Sequence, residues 1–119
     1  SPHTEKWEGI MWKCGVCAFV WDGEEPPDDC PKCGAAPGKF SPLDDKAADT
    51  IDRARYTNSL HLNLYAVLEQ VIGMAEEGVD DNLDGACVKI FQRALDQAEN
   101  LQQSILAEIE KHVKAGKWG

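Results

Sequence analysis

Cys14-Gly15-Val16-Cys17 and Cys30-Pro31-Lys32-Cys33-Gly34 are the residues on which the reading of this chain turns. Each Cys-x-x-Cys pair sets two sulfurs on one tight turn. Two such turns facing one another place four sulfurs at the corners of a tetrahedron, the geometry in which four thiolates hold zinc or iron. Disulfides are the competing reading. No apolar leader-like segment points to an oxidising compartment, and a fifth cysteine, Cys87, makes the count odd. The expectation is therefore one metal bound by Cys14, Cys17, Cys30 and Cys33. Residue types and spacing leave the choice of iron or zinc open.

The flanking residues carry the reading further. Trp12-Lys13 precedes the first knuckle, and Ala18-Phe19-Val20-Trp21-Asp22-Gly23-Glu24-Glu25-Pro26-Pro27 follows it. The second knuckle runs on through Ala35-Ala36-Pro37-Gly38-Lys39-Phe40. This stretch resembles a rubredoxin, and most closely the short rubredoxin-like modules of rubrerythrins. The resemblance covers residues 11–43. It implies one iron per chain, alternating between ferric and ferrous in an Fe(Cys)4 site, with zinc as an alternative or substituted metal. The departure is Ala18, where the family usually has glycine. Glycine accepts a positive φ freely, and alanine does so at about 1 kcal/mol.

Alternation predicts short strands at Met11-Trp12-Lys13 and Phe19-Val20-Trp21. Trp12, Phe19, Trp21 and Phe40 are the expected aromatic core. So small a module cannot hold itself by apolar burial alone, and metal binding supplies the difference. Residues 1–10 read as an arm or an added remnant ahead of Met11. Trp7 and Ile10 could pack on the module, and His3 is expected to be an exposed terminal histidine.

Residues 44–119 read as an antiparallel helical hairpin, with helices at about 42–77 and 81–115. Ser41-Pro42 looks like a cap followed by a first-turn proline, Gly78 like a stop, and Asp80-Asp81 like the acidic first turn of the second helix. Thr57-Asn58-Ser59 is weak helix sequence where a kink could fall. One stripe on the first helix runs Ile51, Ala54, Asn58, Leu62, Tyr65, Leu68, Ile72, Ala75. An adjoining stripe runs Leu60, Leu64, Val67, Val71, Met74. A lone hairpin cannot cover stripes this wide, so the expectation is a homodimer completing a four-helix bundle, or docking onto a different protein. The resemblance also raises a half-length, degenerate rubrerythrin-like peroxidase. A di-iron bundle, however, needs Glu-x-x-His pairs. Asn58 and Ile109 stand three residues before His61 and His112, and Glu69 has no histidine companion.

The formal net charge of −9 argues against nucleic acid and against anionic membrane surfaces. No apolar run reaches the ~20 residues that span a bilayer. A cytoplasmic location follows by default. The fold expected is a small metal-stapled β module joined to an all-α hairpin. The function expected is one-electron transfer to and from a redox partner protein, as a carrier rather than a catalyst. A zinc-stapled adaptor without redox activity is the alternative.

Overall fold

A computed structural model describes residues 9–119. Within it the chain forms three short strands, β1 (Met11–Cys14), β2 (Val20–Asp22) and β3 (Phe40–Pro42), followed by two long helices, α1 (Asp45–Asp81) and α2 (Gly85–Lys114). Two compact units divide α1 after Tyr56. Of the described residues, one comprises 9–56 with 115–119, the other 57–114. The expectations for His3 and Trp7 lie outside the described residues.

In the first unit the strands make an antiparallel sheet of order β2-β1-β3, with Trp12 opposite Trp21 and Lys13 opposite Ser41. β1 is central and delivers Cys14 at its end. The third strand was not expected. Ser41-Pro42 pairs with β1 instead of opening a helix, which an edge strand allows because proline has no donor to lose there. The helix start moves to Asp44, whose carboxylate accepts the Ala47 N–H at 2.7 Å.

The buried apolar centre of this unit also differs from expectation. Trp12, Phe19, Trp21 and Phe40 are half-buried, while Met11 is 1% exposed. The two tryptophans instead pin the acidic turn. Trp12 Nε1 donates to the Gly23 carbonyl at 3.0 Å, and Trp21 Nε1 to the Glu25 carbonyl at 3.1 Å. Arg55 also holds this unit together. Its guanidinium grips both carboxylate oxygens of Asp22 at 2.6 and 2.8 Å, and its Nε donates to the Gly119 carbonyl at 2.8 Å. Gly119 packs against Val20 and Ile51 closely enough that a Cβ would crowd both.

The helix boundaries shift for physical reasons. α1 runs past Gly78 because that glycine is a point of close approach: a Cβ there would overlap the Phe91 ring of α2. The turn falls instead at Asn82, which takes a φ of 50°. Asp80 and Asp81 therefore lie in the last turns of α1, and Asp84 caps α2 by accepting the Cys87 N–H at 2.7 Å. Gly116, at φ 72°, follows the end of α2. No break occurs at Thr57-Asn58-Ser59.

The hairpin seam of the second unit mixes aliphatic, small and buried polar residues. Leu68, Ala98 and Ile105 are buried together, with Tyr65, Val71, Ile72 and Ile109 packed around them. Asn58, Gln102 and His112 are buried too. His112 Nδ1–H donates to Asn58 Oδ1, and Gln102 Nε2 donates to Glu69 Oε1 at 2.7 Å and to the Tyr65 carbonyl at 3.3 Å. Leu62, placed on the inner stripe from spacing, is instead about half exposed. Among the described residues no helix is long and apolar enough to cross a membrane.

Candidate metal centre

The two knuckles have the same backbone. In the first, the Ala18 N–H returns to the Cys14 carbonyl at 3.0 Å; in the second, the Gly34 N–H returns to the Cys30 carbonyl at 2.9 Å. Both closing residues have positive φ, 67° at Ala18 and 73° at Gly34. Alanine thus holds the conformation that glycine holds in its twin, at a steric cost of about 1 kcal/mol. The knuckle geometry is unchanged by the substitution.

This geometry brings Cys14, Cys17, Cys30 and Cys33 together, their sulfurs all within 4.8 Å of one another. Cys14 Sγ lies 3.8 Å from Cys33 Sγ, and Cys17 Sγ 3.6 Å from Cys30 Sγ. A tetrahedron with metal–sulfur bonds of ~2.3 Å has edges of about 3.8 Å. These separations therefore fit one metal ion and are far too long for disulfides, which need about 2 Å. All five cysteines are free thiols.

Electrostatics within the cluster point the same way. Backbone N–H groups of Cys17 and Val16 aim at the Cys14 sulfur and hold its pKa below the ordinary thiol value. At Cys30, burial pushes the thiol up. The N–H groups of Cys33 and Lys32 and the neighbouring sulfurs outweigh burial and bring it down to about 6. Cys33 has one helping amide, from Ala35, but burial and the sulfurs of Cys17, Cys30 and Cys14 push it up to about 12. Four sulfurs this close cannot all ionise without a cation among them. The donor set therefore fits a divalent or trivalent ion, which would hold every thiol deprotonated. Cys14 and Cys30 are buried while Cys33 is exposed, so the cluster has one dry side and one wet edge.

Residues 12–41 match the family model for the rubredoxin-like domain of rubrerythrin. Among curated proteins, a rubrerythrin of Clostridium perfringens is 52% identical over 29 residues, 24% of this chain and 15% of that protein. Reverse rubrerythrin-1 of Clostridium acetobutylicum is 29% identical over 79 residues, 66% of this chain and 39% of that protein. The chain thus spans well under half the length of either relative. No solved structure matches it. Within the matched residues, Cys14, Cys17, Cys30 and Cys33 form a metal-binding cluster.

The other candidates resolve differently. His112 is buried and bonded to Asn58, with Nε2 3.2 Å from Glu108 Oε1. His61 is half-buried, its ring edge-on to His112 with centroids 6.1 Å apart. Glu69 is joined to Gln102. Cys87 sits beside the Asp84 carboxylate, which with burial pushes its thiol up and disfavours the reactive thiolate a helix start would otherwise promote. The polar pairs across the seam were missed in the sequence because each partner lies on a different helix.

Proposed function

We propose that this protein is a one-electron carrier with a mononuclear Fe(Cys)4 centre in its rubredoxin-like module. The observation that carries the reading is the thiol cluster: four cysteine sulfurs within 4.8 Å on two matched knuckles. When bound, iron in such a site exchanges a single electron between its ferric and ferrous states. The match of residues 12–41 to a rubredoxin-like domain supports iron over zinc.

The chain's own residues supply the rest. Knuckle amides at Cys14 and Cys30 stabilise negative sulfur and bias the potential. The buried side, formed around Met11, Cys14 and Cys30, keeps water off two ligands. The exposed Cys33, with Val16 protruding on the other knuckle at 64% exposure, offers the edge through which an electron can pass. No general base is placed at the cluster, so the site carries electrons and leaves chemistry to a partner. Exposed Glu24, Glu25, Asp28 and Asp29 on the same module favour a redox protein with a basic rim.

The test is metal content and visible spectrum of protein grown with iron available and zinc limited. One iron per chain, with charge-transfer bands that bleach on dithionite and return in air, is the expected result. A colourless protein that takes only zinc under those conditions rejects the carrier and leaves a zinc-stapled adaptor.

A further inference from the structure

The hairpin of residues 57–114 has two unlike sides. Its seam is formed by Asn58, His61, Tyr65, Leu68, Ile72 and Ala75 of α1 against Phe91, Leu95, Ala98, Gln102, Ile105, Ile109 and His112 of α2, alternating spacings of three and four. On α1 the residues immediately before each seam position from 61 onward are Leu60, Leu64, Val67, Val71 and Met74. On α2 the corresponding residues are Ile90, Ala94, Gln97, Leu101, Ser104, Glu108 and Lys111, so the apolar half of this helix lies toward the loop and the polar half away from it. A local dyad normal to the hairpin relates two antiparallel helices, so these positions emerge on the same side. Leu60, Leu64, Val67, Met74, Ile90 and Leu101 are 48–64% exposed there. The residues just after the seam positions form the opposite side. There Leu62, Leu106 and Val113 are separated by Glu69, Glu76, Asp96, Glu99 and Glu110.

We infer that the apolar side is the interface with a second copy of this chain, the two hairpins stacking face to face about a dyad along their length. Area supports this occupant. From the level of Leu60 to that of Ile90 the face is ~30 Å long and two helices, ~20 Å, wide. That is roughly 600 Å² in projection, close to the ~800 Å² of accessible surface each partner of a stable complex buries. Charge supports the orientation. Asn58 lies opposite His112, and Gly78 opposite Phe91, so Glu77 stands level with Arg93. Both flank the apolar side on its outer edge. Stacking with the loop ends together sets Glu77 of each copy beside Arg93 of the other.

Sedimentation equilibrium of the full, metal-loaded chain tests the inference, with helicity checked by circular dichroism. The wild type is expected at twice the 13.1 kDa chain mass. Val67→Lys is expected to return it to a single chain mass with helicity kept, and Leu106→Glu on the polar side to leave the dimer intact. Glu77→Arg should weaken association about tenfold, and adding Arg93→Glu should restore it. A wild type that stays at one chain mass at 100 µM overturns the proposal and gives the face to a different protein. A dimer broken by Leu106→Glu but not by Val67→Lys also overturns it.

Discussion

The rubredoxin-like module and the hairpin hold together by opposite means. The module has almost no apolar interior beyond Met11, and its closest-set side chains are four thiols that repel one another when ionised. The hairpin has a long continuous seam, but a thin one, in which Leu68, Ile72, Ile105 and Ile109 share the space with alanine, glycine and hydrogen-bonded polar groups. The difference teaches where each region's stability resides: in a ligand for the first, in helix proximity for the second. It follows that each can be broken without touching the chemistry of the other.

Metal removal should separate them most widely. Structural metal in small thiolate folds contributes ~10–16 kcal/mol at neutral pH. Chelation, or Cys30→Ser, should therefore abolish amide protection in β1, β2 and β3, while the helical circular dichroism of residues 57–114 persists. Loss of both signals together would show that the two regions are not independent. Ile105→Ala attacks the other side of the comparison. It should cost the hairpin about 2–5 kcal/mol in denaturant unfolding and leave the metal spectrum unmoved. Gly78→Leu should cost about 1–3 kcal/mol by overpacking against Phe91, an effect a mere helix stop would not show.

A finer comparison lies inside the module. Ala18→Gly should stabilise the metal-bound form by about 1 kcal/mol by relieving the positive φ, and Gly34→Ala should destabilise it by a similar amount. Thermal unfolding of the two variants checks both signs. The smallest expected effect concerns Asp84, whose pKa is lowered by the backbone N–H of Cys87, with further help from Ala86. A depressed carboxylate stabilises above its unfolded pKa near 4 and loses that contribution as pH falls through the lower folded value. The stability gap between wild type and Asp84→Asn should accordingly close on acidification.

The module was almost wholly legible in the sequence because its ligands are local. Each knuckle is five consecutive residues, and the spacing alone sets the sulfurs. What it concealed was β3, because Ser41-Pro42 satisfies a helix-start pattern as well as an edge strand, and only pairing with β1 decides. The hairpin was legible in existence but not in detail. Gly78 reads as a stop until Phe91 is placed against it. Asn58 reads as a weak point until His112, 54 residues away, accepts its company. Such pairings belong to the fold rather than to any window of sequence.

The indole bonds to the Gly23 and Glu25 carbonyls have a practical consequence. The chain has four tryptophans, Trp7, Trp12, Trp21 and Trp118, and none lies between residues 57 and 114. Tryptophan fluorescence, excited selectively over Tyr65, is therefore blind to the hairpin. Trp12 and Trp21 will brighten and shift to longer wavelength as the acidic turn lets go of them, while far-ultraviolet dichroism follows the helices. One cuvette thus gives two separate melting curves, one for each half of the molecule.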